Sequence, residues 1–207
     1  GLIQFVQTLR ELSGGKPVGF KLCIGHPWEW FGIAKAMQQT GICPDFIVID
    51  GAEGGTGAAP LEFTDHMGMP MMEGLRLVHN TLVGLNLRDQ VRLGASGKII
   101  SGYDVMRTLA LGADWCNSAR GFMFALGCIQ ALQCHKNTCP TGIATQREDL
   151  RAKFRGTPEQ VIGFFSRMQR QRPWVRMKVA ASLDGRTALQ NVMAGLEFRG
   201  VADARAQ

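Results

Sequence analysis

The segment Asp45–Asp50 (DFIVID) constrains the fold of this chain more than any other. It is an unbroken apolar run rich in β-branched residues, and Gly51 follows at once. A strand with apolar side chains at successive positions has no face to give to water, so both faces must be covered. That is the situation of a parallel strand inside an α/β sheet. Val18–Cys23, Val91–Ala95 and Ala113–Ser118 read as three further strands. Helical patterns follow the four at Trp28–Thr40, Pro70–Leu87, Tyr103–Leu111 and Ala119–Gln133. Gly41 stops the first, and Pro70 opens the second in the first turn, where its missing N–H costs nothing. This alternation predicts a parallel sheet with right-handed crossovers.

Each predicted strand runs into a polar or glycine-rich loop: Gly25–His26, Gly51–Pro60, Ser96–Gly102 and Arg120–Gly121. Loops of this kind at the C-terminal ends of successive strands predict a parallel (β/α) barrel of TIM type rather than an open doubly wound sheet. Four units make half of such a barrel and leave two sheet edges for another chain to cover, so an oligomer is possible. Residues 147–166 read as a polar helical connection, with Thr157 as N-cap and Pro158 at the first helical position. Beyond Arg172 the texture changes: Pro173–Leu183 is strand-like and Asp184–Gly185 is a turn signal. The chain therefore divides into residues 1–165 and a tail, 166–207.

The 207 residues, 45% hydrophobic and 19% charged, suffice for one cored domain and are not those of a disordered chain. No apolar run reaches membrane-spanning length and no signal-peptide pattern opens the chain, so a soluble, cytoplasmic protein is expected. The first residue is Gly1 rather than Met, and the chain reads as a piece of a longer gene product. The net charge of +6 lies in the tail: Lys and Arg number 12 against 13 Asp and Glu through residue 150, and 11 against 4 beyond it. No aromatic interleaving or binding motif accompanies the basic residues, which favours a solvated face over nucleic acid. Six cysteines without an export signal read as thiols or metal ligands. Cys23, Cys43 and Cys116, in or beside apolar runs, read as small buried side chains.

Four constellations carry chemistry. In Gly94–Gly102 (GASGKIISG) a strand ends on Ser96, Gly97 and Lys98, and a helix opens after Gly102; backbone N–H groups in such a loop can point at a phosphate. The loop Asn117–Gly121, with Ser118, Ala119 and Arg120, ends the next strand, and two adjacent loops of this kind form the usual phosphate site of a barrel. Gly51–Pro60 holds four glycines within residues 51–58; Gly54, Gly55, Thr56 and Gly57 leave room for a flat ring or a substrate, and Glu53 is either an active-site carboxylate or a loop charge. Cys128-x5-Cys134-x4-Cys139-Pro140 offers three thiols, the first late in a helix and the others in a polar loop. Iron–sulfur ligation, zinc and inert thiols are all compatible with that spacing. Lys21, inside an apolar strand, either points into the barrel mouth or snorkels at an edge. His26, His66 and His79 read as loop or helix-surface residues, and Met67, Met69, Met71 and Met72 as packing.

The run from GKPVGFKL through DFIVIDGAEGGTGAAPLEF and VRLGASGKIISGYDVMRTLALGADWCNSARGFMFALGCIQALQCHKNTCPTGIATQ resembles the FMN-binding synthase domain of glutamate synthases, over residues 15–165. EGGTGAAP and the cysteine segment are its most specific parts. The resemblance implies a (β/α)8 barrel that binds FMN and one 3Fe–4S cluster, of which this chain carries the C-terminal four units. It implies that Cys128, Cys134 and Cys139 ligate the cluster. Ser96, Gly97, Lys98, Ser118 and Ala119 would lie near the FMN phosphate, with Gly102 and Arg120 completing those loops. Gly54–Gly57 would lie near flavin or substrate, and Lys21 is implied to face both.

The reaction so implied is reduction of 2-iminoglutarate, from 2-oxoglutarate and ammonia, with electrons from a donor protein or reductase. A non-catalytic flavin or iron–sulfur fragment is the alternative. Residues 160–192 (GFFSRMQRQRPWVRMKVAASLDGRTALQ) resemble the start of the NADPH-dependent reductase domain of the riboflavin-biosynthesis deaminase/reductase, which implies a junction of two enzymes near Gly163–Phe165.

Overall fold

A computed structural model of the chain describes residues 1–52, 60 and 62–169, and of 167–169 only the helical backbone. The strands are β1 (Gly19–Leu22), β2 (Phe46–Asp50), β3 (Arg92–Ser96) and β4 (Trp115–Asn117). They form one parallel sheet in the order β1-β2-β3-β4. Helices α2 (Pro27–Thr40), α3 (Met71–Gly84) and α4 (Gly102–Ala110) make the crossovers, and α5 (Arg120–Ala125), α6 (Glu148–Arg151) and α7 (Pro158–Gln169) follow β4. A sheet whose strands lie in chain order has no point where the winding reverses, so this is an arc of an α/β barrel and not a doubly wound sheet. Among the described residues β1 and β4 are its edges.

The core lies between one face of the sheet and the crossover helices. Ile47, Ile49, Leu93 and Ala95 pack there against Trp30, Ala34 and Met37 of α2 and Leu75, Val78 and Leu82 of α3. Side chains alternate along a strand, so the opposite face carries Lys21, Val48, Asp50, Gly94 and Ser96. The sequence reading omitted α1 (Leu2–Leu12), an amphipathic helix that buries Ile3 and Val6 and supplies Arg10.

The N-terminal end of the sheet is built twice from one plan. Val18 lies opposite Asp45, and Leu93 opposite Asp114, by the strand registers. In each pair the Asp amide donates to the opposite carbonyl, at 2.9 and 2.7 Å. In each, the Asp carboxylate accepts from the opposite N–H at 2.7 Å. An arginine closes both arrangements. Arg10 Nη2 donates to Asp45 and to the Cys43 carbonyl; Arg88 Nη2 donates to Asp114 and to the Gly112 carbonyl. One residue further on, a glycine sits under an aromatic ring in both copies. A Cβ on Gly19 would meet the Phe46 carbonyl and ring, and one on Gly94 would meet the Trp115 ring at 2.5 Å. Phe46 and Trp115 then meet edge to face, with centroids 6.0 Å apart.

One predicted helix is corrected. The helix expected over Ala119–Gln133 ends at Ala125. Gly127 has φ +93°, and Gln130 and Leu132 also take positive φ, so the chain leaves the helix and turns repeatedly. Cys128 therefore lies in irregular chain rather than late in a helix. Thr157 does cap α7: the Gln160 amide donates to its Oγ1, and Gln160 Oε1 accepts from the Thr157 amide at 2.9 Å. The tail elements expected at Pro173–Leu183 and Asp184–Gly185 lie outside the described residues, as does the loop segment Glu53–Gly57.

Candidate active site

The residues at the C-terminal ends of all four strands open into one cavity of about 980 Å3. β1 brings Lys21 to it, β2 Asp50, β3 its last residue Ser96 and the loop after it Gly97 and Lys98, and the turn from β4 into α5 brings Ala119 and Arg120. Cys128, Cys134 and Cys139 line the same space. Nine of the candidate site residues named from the sequence thus share one cavity. Gly102 and Ser118 are not among its lining residues. Gly102 is the buried first residue of α4. Ser118 Oγ donates to the Ile99 carbonyl at 2.7 Å and ties the two loops together. Glu53, Gly54, Gly55, Thr56 and Gly57 fall outside the described residues.

Two ion pairs shape the polar wall. Lys21 Nζ stands 2.5 Å from Asp50 Oδ2, across the β1–β2 pair. Lys98 Nζ stands 2.9 and 3.1 Å from the two carboxylate oxygens of Asp65. Sequence reasoning missed both carboxylates. Asp50 carried a signal, as the polar end of an apolar strand; Asp65, in a loop without periodicity, carried none. The N-terminus of α4 is closed by its own residues. The Asp104 carboxylate accepts from the Ile100 and Ser101 amides, and Ser101 Oγ accepts from the Asp104 amide.

The apolar wall comes from Phe63, Met67, Ile99 and Met123. Met67 is 64% exposed and serves the cavity rather than the core; Met71 is buried, as expected. Cys23 also departs from expectation. It is exposed at the end of β1, lines the cavity, and its sulfur faces the Ile24 and Met69 carbonyls. Burial pushes the Cys116 thiol up to about 11, in keeping with an inert side chain. His79 is no bare surface residue: its Nδ1 accepts from Arg88 Nε at 3.1 Å.

Cys139 differs from the other thiols. Burial alone would raise its pKa, but the Thr141 hydroxyl and the amides of Ala144, Thr141 and Ile143 outweigh that and bring it down to about 7. Converging N–H groups of this kind favour a thiolate. Asn137 braces the loop, its Oδ1 accepting from Thr145 Oγ1 at 2.8 Å and from the Gln146 amide.

The cavity is large enough for a mononucleotide cofactor, and its lysines, arginine and apolar wall suit an anionic ligand with a flat ring. For a cluster the donor chemistry fits but the arrangement does not. Three thiols share the cavity, yet among the described residues no three His, Cys, Asp or Glu side chains stand close enough to hold a metal ion.

Comparison with known proteins agrees on the family. The family described as the conserved region in glutamate synthase matches residues 1–179. The chain is 49% identical over 144 residues to the glutamate synthase large subunit-like protein YerD of Bacillus subtilis, covering 70% of this chain and 27% of that protein. It is 46% identical over 166 residues to the ferredoxin-dependent glutamate synthase of Pyropia yezoensis, and 40% to ferredoxin-dependent glutamate synthase 2 of Synechocystis, covering 79% of this chain and 10% of each. The chain thus spans about a quarter of the first relative's length and a tenth of the other two. Among solved structures, a flavocytochrome b2 with sulfite bound matches at a TM-score of 0.43 and 18% identity, over 79% of this chain and 33% of that one; a likeness that low adds nothing to the fold. The sheet, the cavity and the family match converge on one conclusion: the chain belongs to the glutamate synthase family, a family of oxidoreductase enzymes.

Proposed function

We propose that this chain builds part of the FMN site of a glutamate synthase-type oxidoreductase, which forms glutamate by reducing 2-iminoglutarate derived from 2-oxoglutarate and ammonia. One observation carries this reading: Lys21, Ser96–Lys98, Ala119, Arg120 and three cysteines converge on one cavity at the C-terminal end of a parallel sheet. FMN, when bound, supplies hydride chemistry; binding and orientation fall to the protein. Lys21, pinned by Asp50, offers its ammonium to a substrate carboxylate. Lys98, Arg120 and the two glycine-bearing loops suit the phosphate, and Phe63, Met67 and Ile99 shield the ring from water. In this reading Glu53 is an active-site carboxylate and Gly54–Gly57 face the flavin. Cys128, Cys134 and Cys139 line the cavity but do not stand within reach of one metal ion, so they would ligate a 3Fe–4S cluster only after their segment rearranges. The names of the ferredoxin-dependent relatives favour ferredoxin, or a reductase, as electron donor. A cytoplasmic location goes with this reading; no helix among the described residues is long and apolar enough to cross a membrane.

Anaerobic incubation of the purified chain with FMN, iron and sulfide tests the proposal. Flavin absorbance bands, together with an electron-paramagnetic cluster signal that Cys139→Ser removes, are the expected result. Cluster bands without flavin would favour the non-catalytic fragment, and uptake of neither would refute the reading. Glutamate formation by residues 1–207 alone should be slow or absent, because the chain spans so little of its relatives. Rapid turnover with reduced ferredoxin would contradict that.

A further inference from the structure

We propose that Asp65 is an exchangeable counter-ion for Lys98: a phosphate monoester entering the cavity takes Lys98 from Asp65 and frees the 62–69 loop. The inference rests on the reading of the cavity as the site of a phosphorylated ligand, and it assigns a role to a residue outside the expected cofactor loops.

The geometry points to exchange. Lys98 lines the cavity, and its ammonium meets both oxygens of the Asp65 carboxylate. A carboxylate held in that way occupies the position a ligand's anionic group would take. Both partners have left-handed backbones, Asp65 at φ +68° and Lys98 at φ +46°. Residues with a Cβ adopt that conformation seldom, and such strain gathers at binding sites and switches.

The contrast with the neighbouring pair is instructive. Lys21 and Asp50 belong to adjacent hydrogen-bonded strands, so their backbones stay together whether or not the ion pair opens. Asp65 sits in a loop instead. Besides Lys98, that loop is held by the Asp65 amide on the Ala52 carbonyl and, at its C-terminal end, by the Ala52 amide on the Met69 carbonyl and the Met69 amide on the Ile24 carbonyl. Both side chains of the Lys98–Asp65 pair are more than 40% exposed, so water and salt weaken it. A phosphate monoester carries close to two negative charges against one for Asp65. Because Phe63, Thr64 and Met67 line the cavity from the same loop, releasing Asp65 reshapes the cavity wall.

Binding of FMN, riboflavin and inorganic phosphate to the wild-type chain, Asp65→Asn, Asp65→Glu and Lys98→Met, measured by calorimetry, tests this. Asp65→Asn should bind FMN and phosphate about fivefold more tightly, the size expected for removing an exposed ion pair, with riboflavin unchanged. Asp65→Glu, which keeps the carboxylate, should behave as wild type, and Lys98→Met should lose the preference for FMN over riboflavin. Hydrogen exchange gives a second readout. Phosphate should raise exchange in residues 62–69 of the wild type and change nothing in Asp65→Asn, where it is already high. Unchanged phosphate and FMN affinity in Asp65→Asn would overturn the inference, as would equal tightening of riboflavin. Phosphate binding that depends on Lys98, without any flavin binding, would refute the FMN reading and leave the exchange standing. Failure of every variant to bind either anion would refute the exchange itself.

Discussion

The two ends of the sheet use the same chemistry, lysine or arginine against aspartate, for opposite purposes. At the N-terminal end the Arg10–Asp45 and Arg88–Asp114 pairs are woven into the backbone: each carboxylate also accepts from a backbone amide and each guanidinium also donates to a backbone carbonyl. At the C-terminal end the Lys98–Asp65 pair joins two loops and, among the described residues, its side chains satisfy no backbone group. The unusual backbone is distributed the same way. Of six non-glycine residues with positive φ among the described residues, five (Asp65, Lys98, Gln130, Leu132 and Asn137) lie in the cavity loops or the cysteine segment, and Asn86 does not. Ion pairs that complete the backbone hold a sheet together. Ion pairs between strained loops can be given up to a ligand.

Mutations at the two ends should separate these roles. Arg88→Ala should have the largest effect. It strips partners from the Val91 and Gly112 carbonyls and from the carboxylate of Asp114, and it removes a guanidinium that is itself only 16% exposed. The expected loss is about 3 kcal/mol, or roughly 6–12 °C in melting temperature; denaturation that leaves the midpoint unmoved would remove the anchor role. Gly94→Ala comes next, at about 2 kcal/mol, since the new methyl meets the Trp115 ring. Pairing it with Trp115→Leu should recover part of the loss.

Asp45→Asn should cost about 1 kcal/mol, because the carboxylate is partly exposed. Its pH signature sharpens the comparison. Burial pushes the Asp45 pKa up, but the Val18 amide and the Arg10 guanidinium outweigh that and hold it below the usual carboxylate range. A depressed acid stabilises the fold above its unfolded pKa of about 3.9 and loses that contribution as pH falls through the lower folded value. The asparagine variant should lack this acid-limb slope in stability measured between roughly pH 5 and 2. The smallest stability effects belong to the other end. Lys98→Met and Cys134→Ser should stay within about 0.5 kcal/mol of wild type while losing the preference for FMN over riboflavin and losing iron respectively. A large loss of stability there would dissolve the distinction.

The alternation of strands and helices was legible because burial on both faces leaves an unbroken apolar run, as in Phe46–Asp50, and because Gly41 and Thr157 punctuate helices through local bonds. α1 was overlooked although Ile3 and Val6 carry its buried stripe. The early end of α5 was hidden because an apolar sequence continues past Ala125 while the backbone turns at Gly127.

The sequence by itself determined the strands, the order of the loops and which residue types each loop would bring. It also held the repeated pairing of an aspartate with an aromatic next to it, Asp45–Phe46 and Asp114–Trp115. Only the tertiary structure decided what those residues touch. Lys21 and Asp50 are 29 positions apart and Asp65 and Lys98 are 33 apart, and they meet because parallel register and crossover geometry, neither of them written in local periodicity, bring distant segments to one end of the sheet.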